Sequence, residues 1–346
     1  MGFLEHQDRA RTRTTVLVIY FAISVVCIIA AVYIASVLIV YGTQANRPPG
    51  SPSPELVLWD PAIFLYAALG TLSVVIIGSV YKIAVLAKGG SAVAESLGGR
   101  QLSPNTADPS ERQLRNVIEE MAIASGMPVP RIYVLDDEPG INAFAAGHTP
   151  GDAAIGVTRG CMTLLNRDEL QGIIGHEFSH IANGDIRLDM RIMGVLFGIV
   201  CLAVIGQVLL YSSRGRGRNP LLFLGLALIV IGAIGVFFGR LIQAALSRQR
   251  EFLADASAVQ FTRNPAGLSA ALQKLGGTGS QVKSAHAGEA SHMFFGNGMG
   301  TSLLGATLAT HPPLAERIRA IDPSWDGKFH QGTVRVAAAL SHLGSA

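Results

Sequence analysis

Four stretches of this chain, residues 15–41, 62–81, 192–211 and 220–239, are apolar and contain no Asp, Glu, Lys or Arg. A helix needs about 20 such residues to cross about 30 Å of hydrocarbon, and every run reaches that length. A single such run could be a buried core helix, but four of 20 or more residues argue against that reading. The expectation is a multi-pass integral-membrane protein. The first run, 27 residues long, exceeds the apolar core of a cleavable signal and reads as an uncleaved anchor. Charged residues make up 15% of the chain, against about 25% in soluble domains.

Other classes fall away. A net charge of +3, with no basic stripe interleaved with aromatics, excludes a nucleic-acid partner. The absence of ionisable residues inside the runs argues against an ion-conducting path. Cys27, Cys161 and Cys201 have no short spacing, so neither a disulfide framework nor a cysteine zinc site is supported.

Orientation follows from the basic residues. Arg9, Arg11 and Arg13 precede the first run and Lys82 and Lys88 follow the second, whereas 42–61 holds only Arg47. The positive-inside rule therefore places the amino terminus and the soluble region in the cytoplasm, at the inner membrane if the cell is bacterial. Arg214, Arg216 and Arg218 oppose it, leaving both a spanning and a re-entrant hairpin open over 192–239.

The expected organisation is an amino-terminal membrane hairpin over 1–86, with spans at 15–41 and 62–81, then a Gly- and Ser-containing linker over 87–107. A catalytic domain follows in two parts, 108–191 and 240–322, separated by the second hairpin at 192–239, with a tail over 323–346. Cap residues and an early proline predict a helix over 108–126. Short β-like stretches lie at 131–135, 141–146 and 154–158. Asn166 and Glu169 form a capping-box-like helix start. Residues 275–301 are Gly-rich and expected to be mobile.

That second helix carries His176-Glu177-Phe178-Ser179-His180, of the form H-E-x-x-H. Residues i and i+4 share a helix face, so both imidazoles can reach one Zn²⁺, with Glu177 as general base toward an attacked water. Two histidines leave a catalytic zinc one ligand short. Glu251 and Asp255, again four apart, offer a candidate third ligand and a carboxylate to orient a ligand histidine. Taken alone, that pair also fits a solvated helix face beside Arg248 and Arg250.

From about residue 110 to about 321 the chain resembles the HtpX branch of membrane zinc metallopeptidases, gluzincins related to the prenyl-protein endoproteases. The resemblance rests on His176–His180 with Asp185, Arg250-Glu251 with Ala254-Asp255, Asn142-Ala-Phe-Ala-Ala-Gly147, His292-Met-Phe-Phe and Thr310-His311-Pro-Pro-Leu-Ala-Glu-Arg317. It implies an α+β zincin-like catalytic domain, with the last two spans inserted between the zinc-binding helices. It implies one zinc ion per chain with Glu251 as third ligand, and Asp185 in the metal-site segment. Asn142 would open a strand bordering the substrate cleft. His311 and Arg317 would lie near the reacting carbonyl, His311 stabilising the oxyanion. His292 reads as a packing residue. A Pro-rich segment over 42–58 departs from the family pattern and reads as a spacer.

His180 lies 12 residues before the third run and Glu251 12 residues after the fourth, at most about 18 Å of helix from the membrane boundary. The expected function is hydrolysis of membrane or misfolded proteins at the cytoplasmic face, a quality-control and stress-response activity. The bilayer and the polypeptide substrates are the partners. Alternatives are a prenyl-protein endoprotease-like processing enzyme and a catalytically silent zinc-binding scaffold.

Overall fold

A computed structural model describes residues 3–45, 55–213, 220–284, 286–296 and 311–330. Most of the Pro-rich segment (46–54), the loop bearing Arg214, Arg216 and Arg218, Gly-rich residues 297–301 and the tail beyond 330 lie outside the described residues. In chain order the elements are α1 (Phe3–Ala45), α2 (Pro61–Leu86), α3 (Gly90–Ser96), β1 (Arg100–Gln101), α4 (Pro109–Ser125), β2 (Arg131–Leu135), β3 (Ala143–Ala146) and β4 (Ala154–Thr158). There follow α5 (Arg159–Leu164), α6 (Arg167–Ala182), α7 (Asp185–Ser212), α8 (Pro220–Thr262), α9 (Pro265–Thr278), α10 (Ala287–Ala290) and α11 (Leu314–Ile321). They fall into two compact units, Met1–Ala87 with Arg191–Leu246, and Lys88–Met190 with Ser247–Ala346.

Among the described residues four helical segments are long and apolar enough to span a bilayer: Phe21–Ala45, Pro61–Leu86, Asp185–Ser212 and Pro220–Gly239. They lie in the first unit, the third of them from Arg191 onward. Asp60 starts α2 by accepting from the amides of Ala62 and Ile63 at 2.8 and 3.1 Å, with Pro61 at the first helical position. Val25, Ile28, Val32, Val75, Ile199, Leu202 and Leu228 form the interior. Small residues let the backbones meet: a Cβ on Gly206 would lie 2.7 Å from the Gly225 carbonyl oxygen, and one on Gly225 2.8 Å from that of Gly206. Ile77, Val80, Val208, Val230 and Phe238 point outward and are exposed, as lipid-facing residues are.

The second unit mixes helices with a four-stranded sheet of order β1-β2-β4-β3. β2 and β4 are parallel, with Arg131 opposite Ala154, while β1 and β3 pair antiparallel at the two edges. α4 starts at its Asp108 cap and ends at Gly126 in the left-handed region (φ 70°), which glycine tolerates without a Cβ penalty. Leu114 and Ile118 of α4, Ile155 and Val157 of β4, Ile173 and Ile174 of α6, and Leu268 and Leu272 of α9 share one core. The Asn166–Glu169 capping box forms, and Lys274 holds Glu169 at 2.7 Å.

Two expectations give way. Residues 87–107 are not a bare linker. They contain α3, with Val93 and Ala94 fully buried, and the edge strand β1. The Gly-rich 275–301 is packed where it is described: Val282, Ala287, Ala290, Met293, Phe294 and Phe295 are buried, and Phe295 donates its amide to the Ala143 carbonyl at 2.8 Å.

Candidate metal centre

α6 owes its position to two glycines. A Cβ on Gly172 would lie 2.8 Å from Leu268 Cα of α9, and one on Gly175 3.2 Å from Thr262 Cγ2 of α8. With these close approaches α8 packs against the face of α6 that carries the histidines. His176 Nε2 and His180 Nε2 lie 3.1 Å apart, and Glu251 of α8 reaches them at 3.6 Å (Oε2) and 3.5 Å (Oε1).

The opposite nitrogen of each ring is held by a carboxylate: His176 Nδ1 by Asp255 at 2.9 Å and His180 Nδ1 by Asp185 at 3.1 Å. A carboxylate accepts only, so each Nδ1 carries the proton and each Nε2 a lone pair. Two ring nitrogens facing each other at 3.1 Å suit a shared cation, whether a metal ion or a proton carried by one of them. Ligand atoms about 2.0–2.1 Å from a tetrahedral zinc ion lie about 3.3 Å from one another, which the three separations fit. Charge points the same way. Asp185, Asp189, Glu251 and Asp255 cluster here against the guanidiniums of Arg250 and Arg317, a surplus suited to a divalent ion.

Protonation follows the environment. Burial pulls His176 down to about 4, leaving a neutral imidazole able to ligate. Burial would also lower His180, yet Asp185 and Glu251 hold it well above its ordinary value, which marks that point as one that demands positive charge. Burial alone would raise Glu251, but the charges of His311 and Arg317 keep it well below the usual carboxylate range. Burial pushes Glu177 up to about 8. Both of its carboxylate oxygens are buried with no hydrogen-bond partner among the described residues.

Glu177 opens with Ala145, His180, Met293, Phe294 and His311 onto one cleft. His311 turns Nδ1 to Glu251 Oε2 at 2.7 Å and leaves Nε2 buried and unpartnered among the described residues. Arg317 is not in that cleft, contrary to expectation. Its fully buried guanidinium donates Nε and Nη2 to Asp255 at 2.8 and 2.7 Å and approaches Glu251 at 3.2 Å. A buried charge of this kind is spent on its partners. Asn142 likewise faces inward: its amide donates to the Ser280 carbonyl at 2.8 Å, and its oxygen accepts from Gly296 at 3.2 Å. It ties Ser280 and Gly296 to the start of β3, a supporting place in the site.

Sequence reasoning assigned no role to Arg250, which donates to Asp185 at 3.3 Å and Asp189 at 3.5 Å, and missed that of His292, which lines the cleft with Nε2 3.3 Å from the Asp189 carbonyl. The signal available was Asp189, one helical turn beyond Asp185.

A family model described as peptidase family M48 matches residues 109–324. The protease HtpX homolog of Dictyoglomus turgidum is 40% identical over 210 residues, 60% of this chain and 68% of that protein. That of Streptococcus gordonii is 36% identical over 260 residues, 73% of this chain and 85% of that protein. The crystal structure of S. mikatae Ste24p is similar at 13% identity and a TM-score of 0.39, over 83% of this chain and 61% of that one.

Proposed function

This chain belongs to peptidase family M48, and on that premise we propose that it is a zinc-dependent endopeptidase that cleaves membrane or misfolded proteins at the cytoplasmic face of the membrane. That it is a membrane metalloprotease follows from the family match and the apolar helices. The zinc-like ligand set and the α+β arrangement around it support a zincin-like catalytic domain. The observation that carries the proposal is Glu177: a buried carboxylate with two unpartnered oxygens beside three converging ligand atoms.

His176, His180 and Glu251 would hold the ion. Bound there, zinc supplies Lewis acidity, polarising the scissile carbonyl and lowering the pKa of water. Glu177 accepts the proton of the attacking water and returns it to the leaving amine. His311 aims Nε2 into the cleft, where it can donate to the developing oxyanion. Because Nδ1 already serves the Glu251 carboxylate, that donation uses the imidazolium form. Asp255 and Asp185 keep the ligand rings in register, and Arg317 and Arg250 keep those carboxylates in place.

Both zinc-binding segments lie within 12 residues of an apolar run, which supports substrates presented at the bilayer surface. The test is cleavage of a membrane-protein reporter by the full chain in vesicles. It should be zinc-restored after chelation and absent in Glu177→Gln. Restored cleavage of soluble casein but never of the membrane reporter would refute the membrane-protein part of the substrate class, and cleavage of neither would refute the whole of it.

A further inference from the structure

Residues 55–60 connect to α2 without helical structure, and Leu56, Val57, Leu58 and Trp59 are 43, 53, 74 and 61% exposed. Four consecutive large apolar side chains left this exposed are costly in water. The hydrocarbon core is no better, since non-helical backbone is not tolerated there when it faces lipid. One environment satisfies both: the headgroup layer, where amphipathic aromatic rings collect.

Its level is marked by Tyr33. The Tyr33 hydroxyl donates to the Leu58 carbonyl and accepts from the Asp60 amide, both at 2.8 Å. Tyr33, Trp59 and Phe64 form a cluster with ring centroids 5.2–5.7 Å apart. The start of α2 is therefore level with Tyr33, well before α1 ends at Ala45. Residues 14–33, counted from Arg13, span about 30 Å as helix, and 61–81, counted back from Lys82, span about the same. Each matches one hydrocarbon thickness.

We propose that residues 55–59 are a lipid anchor seated in the phospholipid headgroup layer on the side away from the amino terminus, with the hydrocarbon boundary crossing α1 at Tyr33. The first apolar run then does not traverse the bilayer as one 27-residue tilted span. Its next turns, with exposed Ile34 and Leu38, then lie within the headgroup layer beside that anchor. This reading is independent of the protease chemistry.

Trp59 and Trp325 are the two tryptophans of the chain, so fluorescence reads the anchor directly. The full chain with Trp325→Phe is placed in phosphatidylcholine vesicles carrying lipids brominated at shallow or deep acyl positions, with iodide as the aqueous quencher. If Trp325→Phe fails to fold, the wild-type spectrum minus that of Trp59→Phe gives the same signal. The expected result is Trp59 quenching about twofold stronger by shallow than by deep bromine, with weak iodide quenching. Strongest quenching by deep bromine would overturn the proposal by placing the segment in hydrocarbon. Dominant iodide quenching, or insensitivity to every quencher, would overturn it by placing the segment in water or under a second protein surface.

Discussion

His311 Nδ1 lies 2.7 Å from Glu251 Oε2, so a residue 60 positions away both steadies the third metal ligand and has its own second nitrogen aimed into the cleft. The two roles separate experimentally. His311→Ala should lower kcat by about 10²–10³, the usual cost of one oxyanion donor, with KM and zinc content little changed. A parallel loss of bound zinc would show that His311 acts through Glu251 alone.

Glu177→Gln should retain zinc and lose proteolysis by at least about 10²–10⁴-fold, since the amide accepts no proton from water. It should also raise the thermal midpoint. A buried carboxylate without hydrogen bonds is held in the fold at a cost that its amide isostere lessens. Wild-type cleavage by the variant would remove Glu177 from the mechanism.

Zinc titration distinguishes ligand from support. Glu251→Ala should abolish occupancy at micromolar metal, and Asp255→Asn should weaken affinity by about 10–100-fold while leaving a folded chain. Both Asp255→Ala and Asp255→Asn remove the bidentate partner of buried Arg317, a loss of about 3–5 kcal/mol, and Asp255→Ala should unfold earlier because it keeps no acceptor at all. Equal melting of the two variants would contradict that account.

Away from the centre, Arg100 and Arg159 gather Asp108, Glu111 and Asp136. The Arg100 bond holds Asp136 below its ordinary 3.8, and bonds from Thr106 and Arg100 hold Glu111 below 4.5. Depressed carboxylates add stability that is present above those ordinary values and is lost as pH falls through the lower folded ones. Thermal midpoints should therefore drop below about pH 4.5, and Asp136→Asn should flatten the drop while lowering the midpoint at pH 7. An unchanged acid profile in the variant would exclude the cluster.

The α7–α8 hairpin tests orientation. Ser212 is exposed while Ser213 is buried, so Ser212 is the position to probe. With Cys27, Cys161 and Cys201 replaced, a cysteine at 212 should react with an impermeant maleimide from outside intact cells. One at Ser284 should react only after permeabilisation. Two uncharged 20-residue helices gain more on insertion than three loop arginines oppose. Labelling of both positions only after permeabilisation would mean that the hairpin dips in without crossing.

Much of this was legible in local sequence. Strands 131–135 and 154–158 end where β2 and β4 end, and Asn166 caps α6, because caps and alternation act over a few residues. The histidine pair was visible because i, i+4 spacing is itself geometry. What failed was long-range. Gly90 looked like a linker residue, yet a Cβ there would collide with the Ala146 carbonyl and the Ala154 amide, so the glycine serves close packing of α3 on the sheet. Arg317 gave no hint of facing Asp255 rather than substrate, since that pairing joins α11 to α8 across 62 positions.

Arg317 and His311 come late in the chain, after both histidines and both acidic residues of α8. During synthesis the ribosome therefore delivers Glu251 and Asp255 well before the cations that neutralise them when buried. Until α11 docks, these carboxylates have no reason to leave water, and the ligand set stays open. The centre is therefore closed by a late stretch of the chain, and the ion pairs of Arg317 with Glu251 and Asp255 tie the buried carboxylates of the metal site to the docking of α11.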